Sequence, residues 1–128
     1  MIDHIGISVD DYQRSKAFYD AVMPTLGARC IMELTAAETG GTYEGAGFGV
    51  NKPDFWIGTG GALQGRLHVA FAAPNRAAVD AFYAAALAAG ATSNGPPGIR
   101  AHYHPNYYGA FVLDPDGHNI EAVCHQPE

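Results

Sequence analysis

Two short apolar runs, Ile2 to Val9 and Leu67 to Ala73, each lead into a segment whose apolar positions recur at helical spacing. In the first segment Phe18, Tyr19 and Val22 form one face, Asp10 or Asp11 stands where an N-cap is needed, and Pro24 and Gly27 mark the stop. In the second, Asn75 precedes Val79, Phe82, Tyr83 and Ala86, and Gly90 ends the pattern. Asp and Asn carry an oxygen that accepts from the free N–H groups of a first turn, and Gly closes a helix in the left-handed conformation. Glycine-punctuated apolar runs follow each predicted helix. They are Arg29 to Leu34, Thr42 to Val50 and Phe55 to Gly58, then a looser set ending in Tyr108 to Leu113 and Asn119 to Cys124. Each half therefore predicts a strand, a helix and three strands. Asp114-Pro115-Asp116-Gly117 predicts a hairpin turn between the last two strands, and residues 94–106, opening Asn94-Gly95-Pro96-Pro97-Gly98, read as a loop covering a site.

The halves are copies of one another. A displacement of 64 residues places His4-Ile5 on His68-Val69, Ala17-Phe18-Tyr19 on Ala81-Phe82-Tyr83 and Ala21 on Ala85 without a gap. The offset is half of the 128-residue chain, so the expected organisation is one domain, residues 1–128, with module one about 1–64 and module two about 65–128. The fold class is α+β, two tandem βαβββ modules. In a two-fold repeat, equivalent positions on the opening strands are related by the pseudo-axis, which predicts that His4 and His68 face one another.

Charge and composition narrow the function. A net charge of −6 with seven scattered Lys and Arg residues opposes a phosphate-tracking surface, so no nucleic-acid partner is expected. No apolar run approaches the roughly 20 residues of a membrane span. The opening Met1-Ile2-Asp3-His4 has neither the basic segment nor the apolar stretch of a secretory signal, and the expectation is a cytoplasmic protein. Cys30 and Cys124 lie far apart in no C-x-x-C pair, so reduced thiols are expected rather than a disulfide framework or a thiolate zinc site.

The candidate chemistry centres on three residues. Glu121 lies within the apolar run Asn119-Ile120-Glu121-Ala122-Val123, where a carboxylate is costly to bury unless paired or bound to a cation. With His4 and His68 it makes two imidazoles and a carboxylate, a facial set suited to Fe(II) that also accepts Mn, Co, Ni or Zn. A second segment, Arg100 to Phe111, carries His102-x-His104, which would face one way on an extended chain, and the phenols of Tyr107 and Tyr108. His102, His104, Tyr107 and Tyr108 are thus candidate catalytic groups, or else a polar loop packed over the site. A second metal at His102 and His104 lacks a third ligand. Arg100 and Trp56 are candidate substrate-binding residues. The glycines of residues 40–47 and 58–61 read as turns, because no helix opens after either run as a phosphate cradle requires. His118 is expected to be exposed in its turn, His125 to lie in a frayed tail, and Cys124 to face away from Glu121.

Three stretches carry a family resemblance: His4-Ile5-Gly6-Ile7-Ser8-Val9-Asp10-Asp11 with Arg14-Ser15 and Phe18-Tyr19; Leu67-His68-Val69-Ala70-Phe71; and Leu113-Asp114-Pro115-Asp116-Gly117-His118-Asn119-Ile120-Glu121. Together they resemble the vicinal oxygen chelate superfamily of glyoxalases, bleomycin-resistance proteins and extradiol dioxygenases, over nearly the whole chain. The resemblance implies a half-open barrel of two βαβββ modules with a divalent ion on its inner face, held by His4, His68 and Glu121. Glyoxalase I members add a Glu at the repeat mate of Glu121. Here the candidates for that place run from Trp56 to Thr59, none of them a carboxylate, so three ligands are expected. That leans toward the pattern of extradiol dioxygenases and fosfomycin-modifying transferases. The transferases need cations near the metal, and only Arg100, Lys52 and Arg66 are available. The expected function is a metal-dependent enzyme acting on a small oxygen-chelating substrate by lyase, isomerase or dioxygenase chemistry. The alternative is a metal-free binding protein of the bleomycin-resistance type. Sheet edges left open predict a homodimer, its interface built partly from the first-module strands and helix.

Overall fold

The computed structural model describes residues 1–61 and 65–128. The expected module boundary near residue 64 lies at 62–64, outside the described residues. In the first module β1 (Ile5–Ser8) leads into α1 (Tyr12–Val22), and β2 (Arg29–Leu34), β3 (Gly45–Gly49) and β4 (Phe55–Gly58) follow. The second repeats this as β5 (His68–Ala72), α2 (Arg76–Ala88), β6 (Thr92–Ile99), β7 (Tyr108–Leu113) and β8 (Asn119–Cys124). The helices start where the capping chemistry placed them. Asp11 accepts from the Arg14 N–H and Asn75 from the Ala78 N–H, satisfying donors that have no partner inside the helix. Pro24 lies in a 3-10 turn at Met23–Leu26 that tightens the end of α1 before Gly27 reverses the chain at φ 78°.

Each module forms its own four-stranded sheet, ordered β1-β4-β3-β2 and β5-β8-β7-β6, with β1–β4 and β5–β8 parallel and the other pairs antiparallel. The sheets remain open, so the expected half-open architecture is present. One face of each sheet meets the helices in a core common to both modules. Phe18, Tyr19, Phe48, Ile57, Val79, Phe82, Val112 and Ile120 are each at most 1 % exposed there. Each fully buried large apolar side chain contributes roughly 1.5–3 kcal/mol. Phe55 of one module meets Phe71 of the other edge to face, with ring centroids 5.0 Å apart.

The Asp114–Gly117 turn joins the modules. Asp114 is buried and accepts from the Tyr19 hydroxyl at 2.6 Å as well as from the backbone N–H groups of Asp116 and His118. Asp116 accepts from the Asp10 N–H at 3.1 Å and the Ser15 hydroxyl at 3.2 Å, at the positive end of α1. Gly117 takes φ 84°, as the reversal requires.

Three expectations are corrected. His4 lies one residue before β1 rather than in it. Residues 94–99 are strand rather than loop: β6 runs to Ile99, and Pro96 and Pro97 fall within the register shift between Gly95 and Gly98 on a sheet edge, where a missing N–H costs no ladder bond. His118 is 3 % exposed, because its Nδ1 accepts from the Leu67 N–H at 3.0 Å while its own N–H is held by Asp114.

Candidate functional site

Alternation along β8 sends Ile120 and Ala122 to the core and Glu121 to the opposite, open face of the second sheet. Pairing places Ala70 and Phe111 on either side of Glu121, so β5 and β7 frame it. Glu121 is nonetheless fully buried, covered by side chains rather than by the sheet. His68, at the start of β5, brings Nε2 to 2.8 Å from Glu121 Oε2, and the Tyr107 hydroxyl donates to Oε1. The imidazole is about half exposed, so the pair spans from the buried carboxylate to solvent. Burial, and then the bond to the Glu121 carboxylate, push the Tyr107 phenol up to about 12. Gly109 makes this contact possible: a Cβ there would lie 3.2 Å from Tyr107 Cε1 and 3.3 Å from Glu121 Oε1. A cavity of about 310 Å³ opens over the group, lined by His68, Tyr103, Tyr107, Phe111 and Glu121.

The loop after β6 supplies the aromatic cover. Arg100 holds its base: the guanidinium donates to the carbonyls of Gly98, Gly109 and Pro96 and stacks over the Phe111 ring. The three backbone bonds commit Arg100 to the loop rather than to a substrate anion. Tyr108 points the other way, as its neighbour on a strand must, and donates to Asp80 of α2 at 2.6 Å with Arg76 over its ring. His102 and His104 do not share a face, because residues 101–103 turn instead of extending. His102 packs against the Tyr103 ring at a 47° tilt, and His104 meets His125 edge to face, with its Nδ1 accepting from the Asn106 N–H. Neither lines the Glu121 cavity.

His4 lies in other surroundings. It is exposed, its Nδ1 is 2.7 Å from Asp3 Oδ1, and it borders an open cavity with Asp3, Lys52 and Asp54. His4, and after it Lys52, hold the Asp3 carboxyl below the usual carboxylate range. Among the described residues no three His, Cys, Asp or Glu side chains gather into a metal-ligating group within one chain. The chain thus brings two of the three expected ligands together. An imidazole nitrogen beside a carboxylate oxygen suits a first-row divalent ion, and His68 and Glu121 would supply those two donors. Register also identifies the repeat mate of Glu121. Gly6 pairs with Trp56 as Ala70 pairs with Glu121, so an indole stands where a fourth carboxylate would be. Tyr107 was the one loop candidate to reach the site. Tyr103 was missed, and no spacing in the sequence distinguishes it from its neighbours.

Several solved structures share the architecture. A glyoxalase/bleomycin resistance protein from Albidiferax ferrireducens is 29 % identical, with 98 % of each chain covered and a TM-score of 0.69. A glyoxalase/bleomycin resistance protein/dioxygenase family enzyme from Burkholderia phytofirmans is 20 % identical, again with 98 % of each chain covered, at a TM-score of 0.71. A fosfomycin resistance protein from Listeria monocytogenes, solved as a mutant with manganese(II) and 1S,2S-dihydroxypropylphosphonic acid, is 22 % identical. The match covers 96 % of this chain and 88 % of that one at a TM-score of 0.68. No curated protein matches the sequence. The model of the Glyoxalase/Bleomycin resistance protein/Dioxygenase superfamily matches residues 1–122. With its repeated modules and open sheets, the chain therefore belongs to that superfamily.

Proposed function

We propose that the chain is a metal-dependent enzyme acting on a small oxygen-chelating substrate, by glyoxalase-like lyase or isomerase chemistry or by dioxygenase chemistry. The observation that carries the reading is Glu121: a fully buried carboxylate on an open sheet face, 2.8 Å from an imidazole at the edge of a cavity. A divalent ion, Fe, Mn, Zn, Ni or Co, would be held by His68 and Glu121 and by His4 of a second copy. Pairing two copies covers the open edges at β1 and β5 and offers the exposed apolar residues Ile2 and Ile5 a partner surface. Bound there, the ion supplies Lewis acidity for an oxygen of the substrate or, as Fe(II), reaction with dioxygen. The chain's own groups do the rest. With its phenol pushed up to about 12, Tyr107 stays protonated near neutral pH, so it donates to Glu121 or to a substrate oxygen that takes the place of Oε1. Tyr103 and Phe111 wall the cavity and limit water. The model of the family spans metal-dependent enzymes and sequestering proteins, and the cytoplasm is the proposed location. Among the described residues no helix is long and apolar enough to cross a membrane.

One observation favours the metal-free binding reading. Both oxygens of Glu121 already have partners, Tyr107 and His68, so burial of the carboxylate does not by itself demand a cation. Mass spectrometry of metal in protein purified without chelator separates the two. Near-stoichiometric metal in the wild type, falling steeply in His68→Ala and Glu121→Gln with the fold retained, is the expected result. Equal metal content in wild type and His68→Ala refutes the site, and a metal-free wild type favours the binder.

A further inference from the structure

We propose that the open face of the first sheet is a stacking site for a neutral planar ring, with Trp56 and Tyr43 as its platform. The proposal rests on the reading of a small-molecule substrate and deepens it by naming the substrate's class as aromatic.

Register makes the case. Gly6, Trp56 and Gly47 form one row across β1, β4 and β3, and Ser8, Gly58 and Gly45 form the next. Four of the six positions carry no side chain. The bare backbone lets two aromatic groups lie directly on the sheet. A Cβ at Gly47 would come within 2.8 Å of the Trp56 indole, and the Tyr43 phenol lies across both Gly45 and Gly58, within 3.0 Å of a Cβ at either. Gly6 stays bare, with nothing nearer to a Cβ there than Trp56 Cβ at 3.7 Å. The result is a cavity of about 280 Å³ bounded by Gly6, Ser8, Tyr43 and Trp56, room for one substituted ring. Aromatic faces attract other rings by offset or edge contact, and Ser8 and Tyr43, both hydroxyl-bearing, are among the residues that line the cavity. Among the described residues no Lys, Arg, Asp or Glu lines this cavity, so nothing there selects for charge on the ligand.

Trp56 is the only tryptophan of the chain, so its emission reports on this site alone. The test is a titration of the purified full chain with phenol and catechol against cyclohexanol and cyclohexane-1,2-diol, which match them in size and oxygens but lack the ring electrons. Excitation at the red edge of indole absorption avoids the phenols. The expected result is saturable quenching by both aromatic compounds and about tenfold weaker response to the saturated ones. Tyr43→Leu keeps the reporter and is expected to weaken phenol binding several-fold. Trp56→Leu, read by calorimetry, is expected to weaken it likewise, with Trp56→Phe restoring most of it. Equal response to phenol and cyclohexanol, or no response to phenol, overturns the proposal. The same titration on Glu121→Gln separates it from the metal reading. Retained phenol quenching there supports the stacking site whatever the metal content proves to be, and its abolition in a folded Glu121→Gln protein refutes a platform confined to the first sheet.

Discussion

Replacing Tyr19 by Phe removes a single oxygen from the seam between the modules. The ring is fully buried and its hydroxyl donates at 2.6 Å to the buried carboxylate of Asp114, on the far side of the seam. A hydrogen bond to a charged acceptor is worth about 1.5–3 kcal/mol, and Phe fills the same space, so no cavity adds to the loss. Asp114 keeps the backbone N–H groups of Asp116 and His118, which places the expected cost in the lower half of that range, about 2 kcal/mol. For a chain of this length that corresponds to a fall in Tm of roughly 6–10 °C. Tyr83→Phe is the control. Its hydroxyl meets the Ser93 hydroxyl at an exposed position, and its loss is expected to cost less than about 0.5 kcal/mol. Urea unfolding followed by Trp56 emission measures both, with an unchanged m value as the check that only the folded state is affected. If Tyr19→Phe is as stable as Tyr83→Phe, the turn does not clasp the modules and the reasoning fails.

Mixing His4→Ala with His68→Ala chains is expected to restore about one ion per mixed dimer, or about one per four chains where the two variants pair at random, because one of the two shared sites in the mixed dimer regains every ligand; no recovery in mixed dimers refutes a site shared between copies. Tyr12, Tyr19, Tyr107 and Tyr108 all have phenol pKa values raised by burial or by an adjacent carboxylate. Folding therefore favours their protonated forms, a contribution fully present below about pH 10 and lost as pH rises toward the higher folded values; chemical denaturation across that window is expected to show falling stability, smaller in Tyr19→Phe. Gly109→Ala is expected to push Tyr107 off Glu121 and bring part of the phenol titration to lower pH, at about 1–3 kcal/mol in stability, as read by ultraviolet titration and melting. Arg100→Lys is expected to loosen the loop at residues 100–107, seen as faster amide exchange, since a single ammonium cannot reproduce the fork that holds three carbonyls.

Periodicity and capping located both helices and the strands Arg29–Leu34, Phe55–Gly58, Tyr108–Leu113 and Asn119–Cys124 at the observed bounds, because each of these signals is local. Glu121 was legible for a related reason: a carboxylate inside an apolar strand run stands out wherever it points. The misreadings share a different cause. His118 accepts from the backbone N–H of Leu67, 51 residues away, and Tyr107 rather than Tyr108 meets Glu121 because of the strand register into which the loop delivers them. Such partners leave no mark in the neighbouring sequence. Pro96 and Pro97 argued for a loop until the sheet order placed them on an edge. The sequence offset brought His4 and His68 into correspondence, yet correspondence within a repeat does not bring two side chains to one point in one chain.

The pairing of Trp56 with Gly6 sets a rule for anyone grafting a fourth donor onto this scaffold. The constant offset of the repeat nominates Ile57, but the second module is one residue longer between its paired strands, and a strand inverts its faces with every single step. A carboxylate installed at Trp56 would enter the open cavity beside Gly6, within a solvent-reached mouth. Installed at Ile57, which is fully buried in the common core, the same group would have to shed its hydration among aromatic rings, and the outcome would be loss of the fold in place of a new ligand.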